Sequence, residues 1–129
     1  MDIWEFISHD RFAMDAGIRL VSCGGGEAVA EVALEPRHLN AVGTAQGGLI
    51  FTLADTAFAA AANAGSPETV SLSTTVNFLR PARAEGEAKL TARAVTVSRG
   101  RSVCCIDVTV TDEQGRAVAK LQCTGYSKQ

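Results

Sequence analysis

The chain is expected to fold in the α+β class, as one long apolar helix wrapped by a curved antiparallel β-sheet. Three observations point there. Residues 40–65, NAVGTAQGGLIFTLADTAFAAAANAG, are almost all small or apolar, and Asp55 is the single charged residue between Arg37 and Glu68. The alanine content of this run favours helix. The chain after it divides into four stretches that alternate apolar and polar residues between turn signals, the pattern of half-buried strands. A helix that is apolar nearly all round must be covered on most sides, and a sheet wrapped around it does so economically.

Taken in order, residues 2–14 carry an apolar stripe of Ile3, Trp4, Phe6, Ile7, Phe12 and Met14 and predict a short amphipathic helix that Gly17 ends. Residues 18–22 and 27–35 read as strands joined by a turn over Gly24, Gly25 and Gly26. In the second of these, Ala28, Ala30, Val32 and Leu34 share a face, and Pro36 closes the strand. Residues 37–45 are a loop, and the long helix runs from Gln46 or Gly47 to about Asn63. Asn63, Gly65, Ser66 and Pro67 form its stop signal. Strands follow at 69–80, 84–98, 102–111 and 117–126. In the first, Val70, Leu72, Val76 and Phe78 are expected on one face. In the second the inner set is Ala88, Leu90, Ala92 and Ala94, and in the third Cys104, Ile106, Val108 and Val110. Turns are expected at Ser98 to Arg101 and at Asp112 to Gly115.

The 129 residues make a single domain, 1–129, large enough to bury a core without staples. A net charge of -2 speaks against nucleic acid as a partner. Nine of the twelve basic residues are Arg, and Arg80 with Arg83, and Arg99 with Arg101, fall close together. Local Arg can hold phosphates of a small ligand without making the protein basic. No signal peptide is visible at MDIWEFISHD, and the 47–62 run is too short for a membrane span. Cys23, Cys104, Cys105 and Cys123 show no C-x-x-C spacing, so no metal site is expected. They are read as reduced, largely buried thiols of a cytoplasmic protein.

Asp55 raises the chemical question. A carboxylate in an apolar setting costs several kcal/mol or takes up a proton, unless partners satisfy it. Read alone, it favours a satisfied structural group over a catalytic one. Its neighbours on the helix, Thr52, Thr56 and Ala59, do little to neutralise it, and a carboxylate beside an apolar cleft is the usual material of a general base. Gly47 and Gly48 at the helix start either allow close packing or expose backbone N–H donors that stabilise an oxyanion. Asn40, seven residues earlier, can add an amide donor. Gly47 and Asp55 are eight residues apart, roughly 12 Å along a helix. A base and an oxyanion donor must each sit about 3 Å from the reacting group. If both act, they belong to different subunits of a homodimer with two symmetric sites.

The run HLNAVGTAQGGLIFTLADTAFAAAANAG resembles the signature of the PaaI-like hotdog-fold acyl-CoA thioesterases, a phenylacetate-pathway type whose usual form is N-x-x-G-x-x-H-G-G followed by L-x-D-T-A. NFLRPARAEGEAKLTARAVTVSRGR is similar to the same family's strand block, and the likeness covers roughly residues 30–126. The resemblance implies a hotdog fold, assembly into homodimers and commonly homotetramers, and hydrolysis of a coenzyme A thioester with no other cofactor. Residue by residue, it implies that Asp55 activates water or attacks the thioester, Gly47 donates to the carbonyl, Asn40 positions substrate and Ser71 orients the water. The Gly100-Arg101 turn corresponds to one near the nucleotide end of CoA, and Arg80 and Arg99 are further candidates for its phosphates. Two positions depart from the pattern. Gln46 stands where the family has His, and it can donate a hydrogen bond to the departing sulfur but supplies no proton by titrating. Ala59 stands where a related subgroup carries Thr.

Other chemistries are weaker. Cys104 or Cys105 as a nucleophile lacks a base nearby in sequence, and a serine hydrolase pairing with His9 or His38 lacks a local signature. His38 reads as a surface histidine. A hotdog dehydratase needs a His beside the helix carboxylate, and a non-catalytic acyl-CoA binding or regulatory module predicts binding without turnover.

Overall fold

The computed structural model describes residues 1–65 and 68–128. Two short helices, α1 (Ile3–Ser8) and α2 (Arg11–Asp15), stand where one was expected. The break has a local cause: Asp2 caps the start of α1 by accepting from the Glu5 N–H, and Asp10 caps α2 by accepting from the Ala13 N–H. An Asp in extended backbone at an N-cap opens a new helix. Strands β1 (Arg19–Gly24) and β2 (Glu27–Ala33) follow, then a 3₁₀ turn over Pro36–His38 and the long helix α3 (Gly47–Asn63). Strands β3 (Thr69–Phe78), β4 (Lys89–Arg99), β5 (Val103–Thr111) and β6 (Ala117–Ser127) complete the chain.

The six strands form one antiparallel sheet in the order β1-β2-β4-β5-β6-β3. Its inner face receives α3. Ala28, Ala30 and Val32 of β2, Leu90, Ala92 and Ala94 of β4, and Cys104, Ile106, Val108 and Val110 of β5 are buried there, as their alternation predicts. Against them lie Leu53, Ala54, Ala57, Phe58, Ala60 and Ala61 of α3. Burying side chains the size of Leu53 and Phe58 contributes about 1.5–3 kcal/mol each. The helix approaches closely at one point because β6 has no side chain there. A Cβ on Gly125 would stand 2.9 Å from Phe58 Cζ, Cys104 Sγ and Thr69 Cγ2.

The other end of α3 is tied down by side chains. Asn63 donates to the carbonyls of Ala59 and Thr69 and accepts from the Thr69 N–H. The Arg99 guanidinium donates to the Ala62 carbonyl at 3.0 Å and to the hydroxyls of Thr69 and Ser127. A cation at a helix C-terminus also complements the helix dipole. The Ser66 and Pro67 part of the expected stop signal lies outside the described residues.

Three expectations need correction. The apolar set of β3 does not share the core face: Val70, Leu72 and Phe78 are exposed and Val76 is half-buried. A bulge between Ser71 and Ser73 shifts the alternation, so Val70 pairs with exposed Tyr126 while Val76 pairs with buried Leu121. β3 is also the sheet's edge and has a neighbour on one side only. Residues 79–88 are a loop rather than the ends of two strands; Ala82 is buried in it and its carbonyl accepts from the Ala45 N–H. Of the four thiols, Cys104 and Cys123 are buried, Cys23 is half-buried and Cys105 is exposed.

The contact at Gly125 makes a stability prediction. Gly125→Ala places a methyl group against three packed atoms, and overpacking of this kind costs about 1–3 kcal/mol. Urea unfolding of the variant is expected to show a lower midpoint with an unchanged slope.

Candidate active site

The start of α3 is built by the loop before it. Asn40 Oδ1 accepts from the N–H groups of Val42 and Thr44, and its amide donates to Thr44 Oγ1. Gly43 turns the chain at a φ of 92°, which a side chain would strain. The Gln46 N–H donates to the His38 carbonyl, and Gln46 caps the helix by accepting from the Gly48 N–H. The next donor in line, the Gly47 N–H, has no hydrogen-bond partner among the described residues. This is the positive end of a helix of 17 residues with one donor left open. The ring of Phe78 lies over Gly47, with Cζ 3.3 Å from where a Cβ would stand.

His38 is not a surface residue. It is buried, its Nδ1 accepts from the Glu35 N–H at 3.0 Å, and its Nε2 lies 2.8 Å from the Ala16 carbonyl. The Nδ1 bond places the ring proton on Nε2, which donates to Ala16. His38 therefore links the loop before α3 to the end of α2.

Asp55 sits two turns further along α3, on the stripe of Gly48, Thr52, Asp55, Ala59 and Asn63 that the sheet leaves incompletely covered. The α1–α2 segment crosses this stripe and leaves a cleft of about 370 Å³. Asp55 lines it with Phe58, Ala59 and Asn63 of α3, with His9 and Asp10 from the junction of α1 and α2, and with Val70 and Ser71 of β3. Ser71 pairs with inward-facing Gly125, and its hydroxyl lies 3.4 Å from Thr74 Oγ1. Asp55 makes no hydrogen bond or ion pair among the described residues. Burial pushes its carboxyl above the ordinary carboxylate range, and the charge of Asp10 adds to the effect.

The predicted residues thus fall into two groups. Asp55 and Ser71 share the cleft; Gly47, Gln46 and Asn40 gather at the helix start. His9 and Asp10 escape a linear reading, because only the packing of α1 and α2 across α3 carries them there. Arg99 is committed to the end of α3. Arg80 and the Arg101 turn lie at opposite ends of β3, a strand of ten residues spanning about 30 Å. Arg80 borders a depression with Arg83, Glu85 and Asp112, where Arg116 pairs with Asp112. Burial pushes the Cys123 thiol up to about 11, so it is not a nucleophile at neutral pH. Among the described residues no three His, Cys, Asp or Glu side chains converge to hold a metal, and no helix is long and apolar enough to cross a membrane.

The profile of the thioesterase superfamily matches residues 42–119, the stretch from the helix-start loop to the first residues of β6. The chain belongs to the thioesterase superfamily. Within it the chain is a PaaI-like hotdog protein. It is 35% identical to the acyl-coenzyme A thioesterase PaaI of Escherichia coli over 86% of this chain and 78% of that one. The solved structure of the E. coli PaaI protein, from the phenylacetic acid degradation operon, superposes with a TM-score of 0.91 at 30% identity, covering 97% of this chain and 89% of that one. A Streptococcus mutans protein solved with acetyl-CoA bound superposes with a TM-score of 0.80 at 28% identity, over 86% and 88% of the two chains.

The setting of Asp55 makes a testable statement about this thioesterase fold. A carboxyl whose folded pKa is raised keeps its proton in the native state while the unfolded chain has lost its own. Stability therefore falls as pH rises from the ordinary carboxylate range through the raised value, and the loss persists at neutral pH. Asp55→Asn is expected to be more stable than wild type at pH 7, with the difference vanishing in acid. Thermal unfolding of both proteins across pH checks this.

Proposed function

We propose that the protein hydrolyses acyl-CoA thioesters to free acid and CoA, with each active site shared between two subunits. The observation that carries this reading is the unpartnered Asp55 carboxylate in an apolar cleft, on the same helix as the open Gly47 N–H and roughly 12 Å from it. That spacing suits two halves of different sites.

The edge strand supplies a way to join them. β3 has one free edge and carries exposed Val70, Leu72 and Phe78. An unpaired apolar edge is a template for a second strand. A two-fold antiparallel pairing of β3 with its copy, centred near Thr74, sets the Phe78 end of one strand beside the Val70 end of the other. Phe78 covers Gly47, and Val70 borders the Asp55 cleft. The pairing therefore brings Gly47 of the partner subunit toward Asp55. It also carries Arg80 of the partner subunit toward the Arg101 turn, and these two are our choice for the CoA phosphates. The exposed outer-face residues Val97, Val103 and Tyr126 offer a surface for pairing dimers into a tetramer.

In this site the thioester carbonyl oxygen accepts from the Gly47 N–H of the partner subunit. Asn40 holds the loop that presents that donor. Asp55 takes a proton from water, with Ser71 positioning the water, and the hydroxyl oxygen bonds to the carbonyl carbon. Collapse of the tetrahedral intermediate breaks the C–S bond, and the proton held by Asp55 ends on the departing thiolate. Gln46 of the partner subunit stabilises that sulfur by donating from its amide nitrogen while its oxygen stays on the neighbouring Gly48 N–H. No further cofactor enters. We place the reaction in the cytoplasm, where thiols stay reduced.

Release of free thiol from a panel of acyl-CoAs tests the reading. Wild type is expected to turn over at least one class, and Asp55→Asn to lose about 10²–10⁴ of the rate, the range for a removed general base. Binding of acyl-CoA with no thiol release by wild type would instead make the protein a carrier or sensor, and near-normal turnover by the variant would remove Asp55 from the chemistry.

A further inference from the structure

The mechanism leaves His9 and Asp10 of the Asp55 cleft unused. Asp10 lines the cleft beside Asp55, and it is held there, because one carboxylate oxygen accepts the Ala13 N–H at 2.9 Å as the cap of α2. Ala13 is fully buried beneath it, so the cap cannot swing away without lifting α2. The groups facing Asp55 from each neighbouring element are few. The α1–α2 junction supplies His9 and Asp10, β3 supplies the uncharged Thr69, Val70 and Ser71, and β6 supplies the buried Cys123 thiol. Among the described residues no Lys or Arg lines the cleft. Two carboxylates thus share this small space, and the fixed charge of Asp10 makes ionisation of Asp55 harder.

We propose that Asp10 is a positioning residue of the reaction: a fixed second carboxylate that strengthens Asp55 as a base by opposing its ionisation. A base works best when its pKa approaches the working pH. The sequence places an aspartate at residue 10 for a helix cap, and the fold puts that cap over the catalytic cleft. The proposal rests on Asp55 being the base.

Asp10→Asn and Asp10→Ser test it, since both retain N-cap capacity without the charge, and Asn also keeps the size of the side chain. The acid limb of kcat/KM is measured for wild type and both variants, each also in a His9→Gln background so that the limb is read without the imidazole. The expected result is a downward shift of the acid limb by about 0.5–1 pH unit, the size of one screened charge across a cleft. A second readout needs no turnover: the gain in stability of Asp55→Asn over wild type at pH 7 should shrink when Asp10 is already Asn. An inactive Asp55→Asn together with an unmoved acid limb and an unchanged stability gain would overturn the role of Asp10 alone. Retained activity in Asp55→Asn would instead remove the base on which it rests.

Discussion

A helix of 17 residues with one charged side chain has to be taken out of water on nearly every side, and the rest of the fold follows from how that is done. The antiparallel sheet covers most of α3, and it does so closely because β6 has only hydrogen at Gly125 where Phe58 enters. What the sheet cannot reach is the stripe through Gly48, Thr52, Asp55, Ala59 and Asn63. The α1–α2 segment crosses that stripe but does not seal it, and the cleft that remains is where the one carboxylate of α3 stands. Under our proposal, the chemistry occupies the seam between two ways of covering one helix.

The same constraint explains why the proposed site is incomplete in one chain. A straight helix carries Gly47 and Asp55 on a fixed ruler, and two turns separate the open N–H from the carboxylate. The edge strand β3 lies beside both ends of that ruler, through Phe78 at Gly47 and through Val70 and Ser71 at Asp55. An antiparallel strand pairing reverses one copy relative to the other. Under our proposal, the apolar residues that leave β3 exposed in the single chain are those that bring opposite ends of two helices together.

Much of this was legible in the sequence because it rests on periodicity. The boundaries of α3 follow from Gln46 at its cap and the chain's change of character after Asn63, and the inner faces of β2, β4 and β5 follow from alternation. What was not legible has physical reasons. The bulge after Ser71 reverses the face of Val70, and one extra residue in a ladder leaves no mark on an alternating pattern. The split between α1 and α2 turns on Asp10 acting as a cap, although the apolar stripe runs through it. His38 looked like a loop histidine because its two partners, the Glu35 N–H and the Ala16 carbonyl, are backbone groups. Asp10 and His9 reach the cleft only by tertiary packing. Arg99 read as a phosphate ligand from its place in a turn, and three hydrogen bonds now commit it to the end of α3 and its neighbours.

The shared site can be tested by mixing two inactive proteins. Asp55→Asn removes the base. Gly47→Pro removes the backbone donor at the first helical position, where proline is accepted and the extended Gln46 before it is suited to precede proline, while the exposed Phe78 ring has to give way by a few tenths of an ångström to the added Cβ. Each homodimer then lacks one half of both its sites. In a mixed dimer, one site combines an intact Gly47 with an intact Asp55, and the other carries both defects. Unfolding and refolding the two variants together is predicted to restore thiol release to about a quarter of the wild-type level, since half of a random mixture is heterodimer with one working site. Mixtures that stay as inactive as their parents, while forming heterodimers, would contradict a site shared between subunits.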